Sequence, residues 1–255
     1  MPSSFGVTPH NDNAHLTTAK RAFDGGVAGL YSCNTLLHKH INPCMEEYHF
    51  CRSTTDLGST AVTALGGAFA NLTSPSRMQV QTAVTEGSNC RVVIPTQFNV
   101  AGNFMEVSAL LHASDAGVGD GNIMFIGLAN SFASIVPAIG AQLAGFWKGD
   151  DEIWHRGIYN ATTGIESTST GTLGRAIQDG DLLTVRLYRK EGSANIDSYA
   201  FYVNGLRITY LEAPGSYIPT ANLYPGFGVY NIAGSGDSVA SLLLEIRNFN
   251  FKYNP

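Results

Sequence analysis

The sequence predicts an all-β protein, a two-sheet antiparallel β-sandwich with an extended N-terminal arm. Three observations carry that prediction. Charged residues are only 14% of the chain, against roughly 25% in an average soluble protein. Gly is abundant at 28 residues among frequent Thr, Ser and Asn, a mix that favours strands and turns over surface helices. From Arg77 onward, apolar residues alternate with polar ones, the period that places successive side chains on opposite faces of a strand. At 255 residues the chain suits one large domain, or one domain plus an arm.

Residues 1–26 read as the arm. They are polar, carry few large apolar residues beyond Phe5, Leu16 and Phe23, and end at Asp24-Gly25-Gly26. No apolar period emerges there. Residues 27–76 read as a mixed connecting segment. A short helix is expected after Asn42, with Pro43 at its first position and the acids Glu46 and Glu47 in its first turn. Leu57 to Asn71 fits a helix or a strand equally well.

The sandwich is expected over 77–255. Met78 and Val80 share one face of the first strand, and Cys90 to Ile94 is a β-branched run that stops at Pro95. In Phe104 to Leu111, Met105, Val107, Ala109 and Leu111 face one way, and Phe104, Glu106, Ser108 and Leu110 face the other. Ile123 to Leu128 follows. Ala141 to Ile158 carries both tryptophans, and Thr162 to Gly174 reads as a connection. Leu183, Val185 and Leu187 alternate with Thr184, Arg186 and Tyr188. Asn204-Gly205 between two apolar runs predicts a type I′ hairpin turn. The last strand changes phase: apolar residues stand at 242, 244 and 246, then at 249, 251 and 253. That slip predicts a β-bulge near Arg247-Asn248.

Four ordered pieces of the C-terminal part carry a family resemblance. They are Gly180-Asp181-Leu-Leu-Thr-Val185-Arg-Leu-Tyr188, Phe201-Tyr-Val-Asn-Gly205, Pro225-Gly-Phe-Gly-Val229 and Ile246-Arg-Asn-Phe-Asn-Phe251. In this order they resemble the end of a concanavalin A-like (laminin-G-like) domain, the jelly-roll superfamily of lectins and glucanases. The resemblance covers Gln178 to Tyr253 well, Arg77 to Gly174 loosely and residues 1–70 not at all. It implies two stacked sheets with Greek-key links. It implies no single function, since this fold hosts lectins, enzymes and scaffolds alike.

The segment most like a ligand site is Trp147, Asp150, Asp151, Trp154 and His155. Aromatic faces stack on sugar rings while neighbouring acids bond hydroxyls. The plainer reading puts one Trp in the core and the acids in a solvated loop. Cys33, His38, His40, Cys44, His49 and Cys51 are dense enough to suggest a metal, yet no C-x2-C pair exists and the spacing matches no zinc-finger pattern. Asp115, Asp120, Asp179 and Asp181 could ligate calcium, though Asp-Gly is also ordinary turn chemistry. A retaining glycosidase needs two carboxyl groups about 5–5.5 Å apart. The superfamily's glucanase string E-x-D-x-x-E is absent, and Glu106 and Glu245 stand alone on separate strands; they could face each other across a cleft, while the plainer reading is that each points to solvent or pairs with an Arg. No G-x-S-x-G, Walker A or G-x-G-x-x-G string occurs.

The net charge is −5 with no basic run, so nucleic acid is not an expected partner. The longest uncharged stretches, Leu57 to Ser76 and Ser131 to Trp147, are diluted by polar residues and Gly, so no membrane partner is expected either. The start reads as leaderless. Together these features predict a non-catalytic virion structural protein, a capsid decoration or tail-fibre component, with no cofactor. The expected partners are copies of itself and other virion proteins, with the virion as its location. The alternatives are a carbohydrate-binding module for a host or environmental glycan and, third, a glycan hydrolase.

Overall fold

A computed structural model describes residues 45–49, 62–73, 77–115, 122–133, 141–149, 151–161, 163–168, 173–212, 218–231 and 241–254. The chain divides at Glu46/Glu47, and the sandwich lies in the second unit, Glu47–Pro255. The strands in chain order are β1 (Met45–His49), β2 (Val62–Leu65), β3 (Phe69–Thr73), β4 (Arg77–Gln81), β5 (Asn89–Val93), β6 (Phe104–Asp115), β7 (Asn122–Ala129) and β8 (Ala141–Lys148). They continue with β9 (Trp154–Ala161), β10 (Thr163–Thr168), β11 (Leu182–Tyr188), β12 (Ser198–Val203), β13 (Leu206–Glu212), β14 (Tyr224–Asn231) and β15 (Leu243–Asn254). Sheet A runs β13-β12-β11-β6-β15-β4-β3, and sheet B runs β10-β9-β8-β7-β14-β5-β2. All pairings along both paths are antiparallel. No helix among the described residues is long and apolar enough to cross a membrane.

Two local expectations are corrected and one open reading is resolved. The segment after Asn42 forms β1 over Met45–His49 instead of a helix. Its Glu-Glu-Tyr-His run has no 3.6-residue apolar period, and so short a helix cannot offset the cost of its own nucleation. Within Leu57 to Asn71 the ambiguity resolves to strands, with β2 and β3 as edge strands of the two sheets. The Thr162 to Gly174 connection contains β10, which pairs Thr163–Thr168 with β9. Thr and Ile tolerate strands well.

The core follows the alternation. Met105, Val107, Ala109 and Leu111 of β6 are buried with Leu183, Val185 and Leu187 of β11. Sheet B contributes Met124, Ile126 and Leu128 of β7, Phe146 of β8, and Phe227 and Val229 of β14. Aromatic pairs tie the sheets: Phe146 meets Phe201 edge-on at 5.3 Å, and Phe227 meets Phe249 at 5.3 Å. Offset and edge contacts of this kind add to the burial of the rings themselves. The phase change in β15 is a register shift between Ile246 and Phe249. It keeps Ile246, Phe249 and Phe251 all buried.

The β12–β13 hairpin turns on Asn204 and Gly205, both with positive φ, at 51° and 77°. Asn204 also braces the neighbouring strand, since its Oδ1 accepts from Leu182 N at 2.9 Å. Gly205→Val is expected to lower stability by roughly 1–2 kcal/mol, the cost of a β-branched residue held in the left-handed region. Chemical denaturation of the two proteins reads the difference, and equal midpoints would contradict it.

Candidate functional site

The two outer faces of the sandwich differ in kind. On an ordinary solvated sheet the outward side chains are polar. Sheet B departs from this: Phe125, Leu143, Trp147 and Tyr230 form a second apolar cluster with Phe132, joined by Tyr159, Tyr224 and Val93. Register explains the layout. One cross-strand row reads Arg91, Gly228, Phe125, Trp147, His155. The next reads Val93, Gly226, Gly127, Gly145, Gly157. A third reads Tyr224, Ala129, Leu143, Tyr159.

The glycine row lets aromatic rings lie close to the backbone. A Cβ on Gly145 would come within 2.8 Å of the Phe125 ring, and one on Gly226 within 2.8 Å of the Phe132 ring. The loop after β7 is pinned over this face, because the Phe132 carbonyl accepts from Arg91 Nη1 at 2.9 Å and from the Tyr230 hydroxyl at 3.1 Å. Burial pushes the Tyr230 phenol far above its ordinary range, so it remains a proton donor in this contact.

Of the five residues expected to form a ligand site, the structure brings three together. Trp147 stacks on His155, with ring centroids 6.0 Å apart and planes 8° from parallel. His155 Nε2 lies 2.6 Å from Asp151 Oδ2. The other Asp151 oxygen accepts from Ile153 N at 3.1 Å, which fixes the carboxylate in the turn between β8 and β9. Next to Asp151, Glu152 holds φ at +58° without being glycine, a conformation that persists only where its surroundings enforce it. Tyr159 adds a ring 5.5 Å from Trp147.

Trp154 does not belong to this group, and the expectation that it lines the site is corrected. It sits one residue before His155 on a strand, so it faces the core, where its Nε1 donates to Ser114 Oγ at 3.4 Å. Asp150 lies outside the described residues. So do Cys33, His38, His40, Cys44 and Cys51, while His49 falls in β1. Among the described residues no group of three His, Cys, Asp or Glu side chains is placed to hold a metal ion.

The carboxylates considered for calcium or catalysis have other partners. Glu106 and Glu245 do share the outer face of sheet A. In register, however, Glu106 stands opposite Lys252 and Glu245 opposite Ala113, seven residues along β6. At about 3.3 Å per residue this separates them by roughly 23 Å, far beyond a retaining pair. Glu245 lies 3.5 Å from Arg77, and Glu106 pairs with Arg186. Asp120 lies outside the described residues, and Asp179 accepts from Ser114 Oγ at 2.8 Å.

Asp181 is filled by donors. Arg175 Nη1 and Nη2 give 2.8 and 2.5 Å, Asn204 Nδ2 gives 2.7 Å and the Gln178 N–H gives 3.0 Å. That carboxylate is a knot for the β11 turn and the β12–β13 hairpin, with no place for calcium.

The fold and these positions stand beside known structures as follows. No protein-family model and no curated protein matches the chain. Among solved structures, a protein of unknown function from Shewanella oneidensis MR-1 superposes with a TM-score of 0.51 at 12% identity, covering 82% of this chain and 86% of that one. The Crh5 transglycosylase gives 0.51 at 9%, covering 82% and 84%. An endo-β-1,4-glucuronan lyase from the fungus Trichoderma reesei gives 0.50 at 10%, covering 82% and 94%. What the chain shares with them is the jelly-roll sandwich. The expectation of a non-enzyme is thereby corrected, because the framework that spans most of this chain is also the framework of a lyase and of a transglycosylase. The missing E-x-D-x-x-E string excludes only one arrangement of carboxylates, whereas one fold carries many sites.

Asp181 gives a prediction in acid. Burial raises its pKa, but the bonds from Arg175, Gln178 and Asn204 outweigh that and hold it below the ordinary carboxylate range. A depressed folded pKa stabilises the fold above the unfolded value of about 3.9 and loses that contribution as pH falls through the folded one. The melting temperature is therefore expected to drop below about pH 4, and Asp181→Asn to flatten that drop while lowering stability at neutral pH. Parallel thermal melts across pH check both parts.

Proposed function

We propose that this is a carbohydrate-binding sandwich protein whose glycan site is the Asp151, His155, Trp147 and Tyr159 end of the sheet B outer face. The observation that carries the reading is the rim of the buried aromatic band, where half-buried Tyr159 and exposed Asp151 stand beside the Trp147–His155 stack. At its rim the Asp151 carboxylate is held by two contacts, and its side chain is 47% exposed, which leaves lone pairs for sugar hydroxyls. Rings that give apolar contact beside a fixed acid are the usual make-up of a saccharide site. The sandwich it stands on is also that of the transglycosylase and the glucuronan lyase, and this supports glycan chemistry as the ligand class.

Tryptophan fluorescence tests the reading, because the two indoles lie on opposite faces of sheet B. Titration with a panel of oligosaccharides is expected to change the emission. Trp147→Phe should abolish that change and Trp154→Phe should preserve it. Trp147→Ala should weaken binding about tenfold, or ~1.4 kcal/mol. A response that survives in Trp147→Phe places the ligand elsewhere. The same mixtures are followed for reducing-end release and for unsaturated products, which reads whether the bound glycan is cleaved.

We further place this activity on a virion surface, on the strength of the polar, apolar-poor residues 1–26 ahead of the sandwich. Such a segment cannot offset roughly 1–2 kcal/mol per residue of backbone ordering without a neighbour. Deleting residues 1–26 is expected to leave a domain with the same melting temperature that no longer enters its oligomer or particle. Light scattering and particle co-sedimentation read this, and assembly that survives the deletion would exclude the role.

A further inference from the structure

Glu106 points outward from the middle of sheet A, yet it is only 4% exposed. It stands directly opposite Arg186 on β11 and Lys252 on β15. Its Oε2 accepts from Arg186 Nε at 2.7 Å and also from Arg186 Nη2, and its Oε1 lies 3.1 Å from Lys252 Nζ. The Arg186 guanidinium is held between the rings of Phe104 and Tyr202, at 5.2 and 5.1 Å. One cation would neutralise this carboxylate. The second leaves the cluster with a net charge of +1, and the Arg186 and Lys252 side chains remain 37% and 39% exposed. Among the described residues Arg186 Nη1 makes no hydrogen bond, and Lys252 keeps donors beyond its contact with Glu106.

The neighbouring row is neutral and rich in hydrogen-bonding groups. Tyr202, Thr184, Ser108 and Asn250 lie abreast on β12, β11, β6 and β15. Ser108 Oγ and Thr184 Oγ1 are 2.8 Å apart. Asn250 Oδ1 is buried with no hydrogen-bond partner among the described residues, a state that native proteins rarely leave unanswered. The two rows are two residues apart along the strands, about 7 Å, the span of one pyranose ring with its substituents.

We propose that this face is a second binding site, for an acidic sugar. The anionic group, a uronate carboxylate or a sulfate ester, lies over Arg186 Nη1 and Lys252 Nζ, where charge-assisted bonds are strongest. The ring hydroxyls bond the Thr184–Ser108–Asn250 row, and a hydroxyl donor satisfies Asn250 Oδ1. The site is on the opposite side of the sandwich from Trp147 and does not depend on the reading given for sheet B.

Isothermal titration of the full chain with a trigalacturonate, a chondroitin sulfate tetrasaccharide and neutral cellotriose tests the proposal. Binding of at least one acidic ligand is expected, weakening as NaCl rises. The ligand that binds identifies the anionic group. Lys252→Met and Asn250→Ala should each reduce that affinity about tenfold or more, with melting temperatures close to the parent. Glu106 stays paired with Arg186 in the first variant, and the second removes an amide whose buried Oδ1 has no hydrogen-bond partner among the described residues. Trp147→Ala should leave acidic-sugar binding intact. Acidic-sugar binding that is absent, or unchanged in Lys252→Met and Asn250→Ala, overturns the site. Loss of that binding in Trp147→Ala instead assigns the acidic ligand to sheet B, overturning this site while supporting the other. Conversely, a failed fluorescence test at Trp147 leaves this titration able to succeed.

Discussion

The pairing of β6 with β15 is the constraint on which the rest of the molecule depends. These are the two longest strands, twelve residues each, and they run antiparallel through the middle of sheet A. Register is strict in such a pair, since a slip of one residue would turn every apolar side chain outward. The shift between Ile246 and Phe249 is how β15 meets that demand along its whole length. Leu244 and Ile246 face the core before it, and Phe249 and Phe251 after it. The same register sets Lys252 against Glu106 and Asn250 against Ser108. Core packing and the polar outer platform therefore follow from one alignment.

A second consequence is the asymmetry of the outer faces. Sheet A keeps the pattern of a half-solvated antiparallel sheet, with charge and hydroxyl groups outward and the core inward. Sheet B is apolar on both faces, so its strands read as nearly continuous hydrophobic runs. β7 is the clear case, where Phe125 and Ala129 belong to the outer cluster while Met124, Ile126 and Leu128 belong to the core. A sheet buried on both sides needs a cover. Phe132, held by Arg91 and Tyr230, is part of it. Desolvated aromatic surface of this kind strengthens any polar contact made at its rim, which is the position of Asp151 and His155.

This difference also decides how much could be read without coordinates. Strict alternation made the two faces of β6 legible from Phe104 to Leu111, four residues short of its end at Asp115, and those of β11 from Leu183 to Tyr188, and Asn204-Gly205 announced its turn through a backbone requirement that few residue pairs meet. The bulge in β15 showed as a phase slip. In β8 and β9 the same reasoning had less to hold. Large apolar residues stand on both faces, with His155 and Arg156 among them, so the pattern around Trp147 and Trp154 does not say which indole looks inward. Parity does settle it once the strand bounds are known, because Trp154 and His155 are adjacent and must face opposite ways. The cross-strand groupings were out of reach for another reason. Glu106, Arg186 and Lys252 are scattered along the chain, and nothing local to any of them specifies the register that brings them together. Residues 43–50 and 162–174 failed on local propensity, which short segments leave nearly undecided.

The inference against catalysis failed on different grounds. It took the absence of one carboxylate string as evidence about a fold. Strings of that sort record sites whose acids happen to lie on a single strand, where i and i+2 share a face. A sandwich offers two outer faces of seven strands each along its main paths, and side chains from neighbouring strands lie about 5 Å apart without any sequence spacing in common. The two side-chain groupings described above are largely of the cross-strand kind: Trp147 with His155 and Tyr159 from β8 to β9, and Glu106 with Arg186 and Lys252 across β11, β6 and β15. Chemistry on such a scaffold is set by register more than by motif.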